Sequence, residues 1–143
     1  MNRANYVALN GPAIEAMLAL KPTTPAIGAG LRALVEIRVS QINGCGYCIH
    51  VHTQEARAAG ETQARLDALG RWAVGAFFTA AEKAALAWAE SVTDVSHTGA
   101  PDADYDALGD HFSEVEIVDL TLIIAQMNAW NRLAIAFRHE VGG

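Results

Sequence analysis

Both cysteines of the chain lie in one short motif, Cys45-Gly-Tyr-Cys48, and His52 follows four residues later. At about 100° per residue, a helix places Cys45, Cys48 and His52 at roughly 0°, 300° and 340° around its axis, so the three share one face. Tyr47 and His50 fall away from that face. His52, one turn after Cys48, is therefore the histidine that can reach a cysteine sulfur. The spacing predicts a helix that bears a dithiol with an attached base.

Length and charge restrict what else the chain can be. A chain of 143 residues predicts a single domain over residues 1–143 that buries a core without disulfide crosslinks. Two cysteines in one motif, with no secretory signal and no membrane-length apolar run, favour a reducing, cytoplasmic setting without a membrane partner. A net charge of −6 with only 10 Lys and Arg residues argues against nucleic acid as a partner.

Apolar residues recur at helical spacing along the whole chain, with no alternating strand pattern, so we expect an all-α bundle. Thr79 with Glu82 and Ser113 with Glu116 have the spacing of capping boxes, which mark helix starts. Gly44 permits a left-handed helix stop just before the cysteine helix. The predicted helices span residues 12–20, 27–43, 45–59, 61–71, 79–95, 101–110 and 113–138.

A helix start suits thiol chemistry, because its free N–H groups and macrodipole stabilise an anion and lower a thiol pKa from its free value of about 8.5. His52 can accept the proton of Cys48 or stabilise its thiolate as an imidazolium, so Cys48 is the expected attacking thiol. Cys45, one turn earlier and nearer the surface end of the helix, is placed to resolve a sulfenic acid on Cys48 as a disulfide.

Two other interpretations of the motif stay open. Cys45, Cys48 and His52 could bind zinc if a distant histidine supplied the fourth ligand, for which the candidates are His97, His111 and His139. The two cysteines could also be inert core residues, since free cysteine is often buried.

The motif and its surroundings resemble a known family. Residues 34–61, which contain Asn43-Gly44 directly before the cysteines, together with residues 77–90 and 128–133, look like the alkylhydroperoxidase D (AhpD)-like, carboxymuconolactone decarboxylase superfamily. The resemblance implies an all-α homo-oligomer, a trimer or hexamer, that reduces hydroperoxides without a metal or organic cofactor. It makes Cys48 peroxidatic, Cys45 resolving and His52 a proton relay. The implied reductant is an external dithiol, of a thioredoxin-like or lipoyl kind.

The chain departs from the family pattern at two positions. Ala33 occupies the place of a relay glutamate twelve residues before the first cysteine, and Tyr47 replaces a histidine between the cysteines. Glu36, one turn after Ala33, can approach the same region as a relay, or can be a solvated residue paired with Arg32. Decarboxylase members lack paired cysteines, so the motif does not imply their lyase chemistry, and a lyase that acts on a small carboxylated ring compound is the weaker alternative function.

Remaining features bear on assembly. A hydrophobic fraction of 52% favours a homo-oligomer, because one domain of this size has limited polar surface to cover it. The alternative is a monomeric helical domain that is rich in Ala for helix propensity alone. Asn128 and Asn131 place polar groups in a long apolar helix, where they are expected to pin helices or subunits together. Tyr47 lies off the cysteine face and is expected to pack in the core or an interface; the alternative is that it lines the pocket and hydrogen-bonds a peroxide oxygen. The alternative to an enzyme is a non-catalytic stress-response or zinc-holding assembly module.

Overall fold

Helix α3 lies at the centre of the molecule and packs against three other helices. The computed structural model describes residues 3–142 and is all-α there. Its helices are α1 (Tyr6–Leu9), α2 (Gly11–Leu18), α3 (Ala29–Asn43), α4 (Gly46–Ala58), α5 (Gln63–Ala68), α6 (Ala80–Thr93), α7 (Val95–Thr98), α8 (Asp102–Gly109) and α9 (Glu114–Ala136). Short 3-10 turns span Lys21–Thr23 and Leu69–Arg71.

The helix boundaries follow the signals in the sequence. Thr79 and Ser113 cap α6 and α9, each in a reciprocal capping box with the glutamate three residues on. Gly44 ends α3 with a φ of 75°, a left-handed conformation that suits glycine. The chain can therefore turn sharply from α3 into α4, and the cysteine motif is held where these two helices meet.

The contacts of α3 with α4, α6 and α9 form the core. One apolar cluster contains Val35 and Val39 of α3, Cys45 and Cys48 at the start of α4, and the buried face of α9. A second cluster joins Leu34 of α3 to residues of α4, α5 and α6. Because the cysteines are part of the first cluster, the packing of the bundle fixes their position.

A buried amide network ties α3 to α9. Asn43 donates one hydrogen bond to Asn128 (2.9 Å) and one to Asn131 (3.0 Å), and Asn131 donates to Ser40 (3.0 Å). Asn128 also donates to Thr93 at the end of α6 (3.1 Å). The expectation that Asn128 and Asn131 pin helices together is confirmed within the chain.

Two short helices were not predicted from the sequence. Helices α1 and α7 have four residues each, too few for an apolar period to be visible. The predicted helices are otherwise present, with ends that differ by one to a few residues, and 61–71 divides into α5 and a 3-10 turn. Within residues 3–142, none of the helices combines the length and the apolar character that crossing a bilayer requires.

Candidate active site

The start of α4 holds the two cysteines next to each other. Cys45 is the N-cap residue, and its sulfur accepts a hydrogen bond from the backbone N–H of Cys48 (3.3 Å). The two sulfurs are joined in a disulfide, with the Cα atoms 5.3 Å apart. The Cα separation lies in the usual range for a disulfide, so the start of α4 accommodates the bond between the two cysteines.

The two cysteines differ in what they face. Cys45 is 2% exposed and Cys48 is 4% exposed, but only Cys48 lines the cavity described below. The expectation that Cys45 lies nearer the surface was wrong, because the turn at Gly44 directs the N-cap side chain into the core cluster. Of the two cysteines, Cys48 is thus the one next to the cavity.

His52 lies one turn further along α4 and contacts two carboxylates. Its Nδ1 is 2.9 Å from Oε2 of Glu55 and 3.7 Å from Oε2 of Glu36. The first distance is a hydrogen bond, whereas the second is an ion-pair distance without one. Both His52 and Cys48 line the same cavity, so the imidazole and this cysteine face a common space.

Glu36 is a buried carboxyl with an incomplete set of partners. The residue is 7% exposed, and its Oε1 has no hydrogen-bond partner. Burial raises the pKa of the Glu36 carboxyl, and the charges of His52 and Lys21 offset only part of this rise. Glu36 is thus neither solvated nor paired with Arg32, whose guanidinium donates instead to Thr24 and to the backbone of Lys21.

Lys21 brings a cation to this cluster from the 3-10 turn after α2. Its ammonium lies 3.3 Å from Oε2 of Glu55 and 3.9 Å from Oε1 of Glu36. Partial burial alone would raise the pKa of Glu55, but the hydrogen bonds and charges of His52 and Lys21 outweigh burial and hold that pKa below its ordinary value. The two carboxyls beside His52 therefore have opposite tendencies to ionise.

A cavity of about 340 Å³ opens in front of Cys48 and His52. Glu36, Glu55, Lys21 and Arg32 lie along its polar part. Its apolar wall is formed by side chains of α1, α2, α4 and α9, namely Val7, Ile14, Leu18, Val51, Ile123, Met127, Trp130 and Ala134. The cavity suits an organic molecule with an apolar body and one polar reacting end.

A second polar edge of the cavity comes from both ends of the chain. The ring of His139, beyond α9, stacks on Tyr47 of α4 with centroids 3.9 Å apart, and its Nδ1 is 2.9 Å from the hydroxyl of Tyr6. All three side chains line the cavity. Tyr47 packs against the core cluster, as expected, and it also lines the cavity edge, where the ring of His139 covers it.

The structure also locates the residues that were weighed for zinc. The sulfurs of Cys45 and Cys48 are joined to each other, so neither is a thiolate ligand in this state. His97 and His111 are exposed, and His97 pairs with Asp94. The donor group that the structure does assemble is Glu36, His52 and Glu55, whose ligand atoms lie within 4.8 Å of one another. The ammonium of Lys21 already balances charge there.

Three residues of this site were missed by the sequence reasoning. Glu55 is three residues after His52, a helical spacing that could have identified it as a neighbour of the imidazole. Lys21 and Tyr6 reach the site only through the packing of the N-terminal segment, for which the sequence contains no local signal.

Comparison with known proteins gives one family and one fold. The model of the carboxymuconolactone decarboxylase family matches residues 12–91. The protein YdfG of Bacillus subtilis (strain 168) is 39% identical over 136 residues, which cover 94% of this chain and 92% of YdfG.

Two solved structures superimpose closely on the chain. The first is ATU0492 from Agrobacterium tumefaciens, a protein of unknown function suggested to be the antioxidant defence protein AhpD. It is 34% identical with a TM-score of 0.94, over 98% of this chain and 97% of ATU0492. The second is a peroxidase-related protein with an alkylhydroperoxidase AhpD core from Ralstonia eutropha JMP134. It is 23% identical with a TM-score of 0.83, over 94% of this chain and 73% of that one, which shows a shared fold.

Proposed function

The chain belongs to the carboxymuconolactone decarboxylase family and has the AhpD-like fold, and from that premise we propose that it is a thiol peroxidase that reduces organic hydroperoxides through Cys45 and Cys48. The observation that carries the proposal is the common cavity of Cys48 and His52, which joins a thiol, a base and an apolar wall. The names of the AhpD-like and peroxidase-related neighbours agree with this chemistry.

The first step is attack by the Cys48 thiolate on the peroxide. His52 takes the thiol proton, and the sulfur then forms a bond to the outer oxygen of the hydroperoxide while the O–O bond breaks. The departing alkoxide leaves as an alcohol after it receives a proton from the relay of His52 and Glu36. Cys48 becomes a sulfenic acid, and the peroxide has been reduced by two electrons.

The second step closes the disulfide. The thiol of Cys45 attacks the sulfenic sulfur of Cys48, and the sulfenic oxygen leaves as water. The product is the Cys45–Cys48 disulfide, the state in which the two sulfurs stand in the structure. An external dithiol completes the cycle by attack on Cys48, the sulfur that faces the cavity, and leaves oxidised to its own disulfide.

The cavity wall indicates the kind of hydroperoxide. Eight apolar residues surround the space in front of Cys48, and its volume of about 340 Å³ exceeds what hydrogen peroxide requires. An apolar alkyl or aryl group would bury its surface against that wall, with the peroxide directed at the polar end. We therefore propose an organic rather than an inorganic hydroperoxide as the substrate.

A direct test uses the reduced chain and one equivalent of cumene hydroperoxide. We expect intact-protein mass spectrometry to show a loss of about two mass units, and peptide mapping to join Cys45 to Cys48. The number of free thiols per chain should fall from two to zero in one step. Stable sulfinic or sulfonic acid on either cysteine, with no disulfide formed, would contradict the proposal.

We also propose that the chain acts as a homo-oligomer, a trimer or larger. Val115, Val118 and Leu122 are exposed along one side of α9, spaced at helical intervals, and such an apolar stripe is unusual on a monomer. Analytical ultracentrifugation at micromolar concentration should give the mass of three or more chains. A sedimenting monomer would contradict the assembly without affecting the dithiol chemistry.

A further inference from the structure

His52 lies near two carboxylates that differ in helix, burial and hydrogen bonding. Glu55 is on the same helix, half exposed, hydrogen-bonded to Nδ1 of His52 at 2.9 Å and paired with Lys21 at 3.3 Å. Glu36 comes from α3, is buried, and lies 3.7 Å from the same nitrogen, too far for a hydrogen bond. One carboxylate holds the imidazole and the other is only near it.

We propose that Glu55, anchored by Lys21, is the positioning residue of this site: it fixes the His52 imidazole in the tautomer with the proton on Nδ1, and thereby leaves Nε2 free to accept the proton of Cys48. The inference rests on the proposed function and gives the two glutamates beside His52 different roles in it. Glu55 orients the base, and Glu36, which lines the cavity but makes no hydrogen bond to the ring, is left to exchange a proton with a molecule in the cavity.

The tautomer follows from hydrogen-bonding rules. A carboxylate can only accept, so the hydrogen bond between Nδ1 and Glu55 requires the proton to be on Nδ1 when the imidazole is neutral. The other ring nitrogen, Nε2, then has a free lone pair. Because Cys48 and His52 line the same cavity, that lone pair is the group available for the thiol proton.

Lys21 makes the orientation depend on the N-terminal segment. Its ammonium is within 4 Å of both carboxylates, but its hydrogen bond is to Glu55. The pair keeps the Glu55 carboxyl ionised and turned toward His52, which is the state that accepts from Nδ1. Lys21 is supplied by the 3-10 turn that follows α2, so a segment that precedes α3 completes a site whose cysteines lie at the start of α4.

The decisive measurement is the tautomer of His52, read from the nitrogen-15 chemical shifts of its ring in the reduced protein. In the wild type we expect a protonated Nδ1 and an unprotonated Nε2. Glu55→Ala should move the ring toward the Nε2–H tautomer, while Glu36→Gln should leave the tautomer unchanged because Glu36 makes no hydrogen bond to the ring. Glu15→Ala, which removes an exposed carboxylate on α2, is the matched charge control and should change nothing.

Kinetics give a second readout on the same variants. Glu55→Ala should slow the reaction with cumene hydroperoxide about tenfold, the lower end of the loss when the carboxylate that orients a metal-bound histidine is removed. Glu55→Asp should recover part of the rate, and Lys21→Met should reduce it in the same direction as Glu55→Ala. His52→Ala sets the lower limit, since it removes the base itself.

The outcomes separate this inference from the function on which it rests. An unchanged tautomer in Glu55→Ala, or a tautomer change in Glu36→Gln instead, would overturn the role of Glu55 even if the peroxide is still reduced. Failure of the wild type to consume cumene hydroperoxide would count against the proposed function, while the tautomer measurement, which needs no substrate, would still decide how His52 is held.

Discussion

Two polar clusters lie within a few helical turns of each other in this molecule, and they differ in charge and in how completely their polar atoms are hydrogen-bonded. The amide network of Asn43, Asn128, Asn131 and Ser40 consists of neutral side chains joined by hydrogen bonds of 2.9 to 3.0 Å, and Arg132 donates to it only at its outer member, Asn128. The cluster around His52 contains charged and titratable groups, and the carboxyl of Glu36 has an oxygen without a hydrogen-bond partner. The first cluster joins helices, and the second faces a cavity.

The difference teaches how to separate structural from functional polar groups. A neutral, satisfied network can only stabilise one packing of α3 against α9, because it has no second protonation state near neutral pH. A buried carboxyl with an unpartnered oxygen destabilises the fold, and such a cost persists where chemistry needs the group. The two clusters are also connected: the hydroxyl of Ser40 donates to the backbone carbonyl of Glu36 (2.7 Å), so the satisfied network supports the unsatisfied residue.

The largest expected effect tests the structural side of this comparison. Asn131 is fully buried, accepts from Asn43 and donates to Ser40. Replacing it with Ala should lower the free energy of unfolding by about 2 to 3 kcal/mol, because a buried pair of hydrogen bonds is lost and a cavity remains.

Denaturant unfolding of Asn131→Ala and of Asn128→Ala gives the measurement. Asn128 is only half-buried, so its variant should lose less stability. The folded fraction of both variants should still close the Cys45–Cys48 disulfide with peroxide. A variant that keeps full stability but loses the peroxide reaction would show that the amide network is functional after all.

A smaller effect of opposite sign tests the functional side. Because the pKa of Glu36 is raised in the folded state, the carboxyl contributes most to stability below the unfolded value near 4.5, and this contribution is lost as pH rises. Gln cannot ionise, so Glu36→Gln avoids the cost of a buried carboxylate charge. Its free energy of unfolding should exceed that of the wild type by about 1 kcal/mol at pH 7 and equal it at pH 4.

Thermal unfolding of Glu36→Gln at the two pH values, with the exposed Glu15→Gln as control, checks the sign. The variant should also react more slowly with peroxide, since the relay has lost a proton-exchanging group. If wild type and variant were equally stable at both pH values, Glu36 would not destabilise the fold, and the proposed difference between the two clusters would be wrong.

The sequence predicted the helical fold because its signals are local. Capping boxes at Thr79 and Ser113, and the glycine stop at Gly44, each lie within a few residues of the boundary that they set. The motif on α4 likewise placed Cys48 and His52 on one face, since helical spacing determines that geometry without reference to the rest of the chain. Glu36 was identified as a candidate for the same reason, one turn from the family's usual relay position.

What escaped prediction depends on packing between distant segments. Tyr6 and His139 meet at 2.9 Å although they stand at opposite ends of the chain, and together they bring Tyr47 to the cavity edge. The burial of Cys45 depends on how α4 packs into the core, and the angles of residues around the axis of α4 cannot show that packing. Such contacts are products of the tertiary fold, so only the structure reveals them.

The central claim is that the two cysteines have unequal roles, with Cys48 as the thiol that meets the peroxide. The most direct measurement compares Cys48→Ser and Cys45→Ser after reduction, each treated with cumene hydroperoxide in the presence of dimedone, which traps sulfenic acids. We expect Cys48→Ser to be inert, and Cys45→Ser to consume about one equivalent and become labelled on Cys48, because Cys48 lines the cavity beside His52 and the resolving thiol is gone. If Cys45→Ser were inert and Cys48→Ser became labelled on Cys45, the attacking thiol would be the buried N-cap residue, and the assignment of His52 as its base would be wrong.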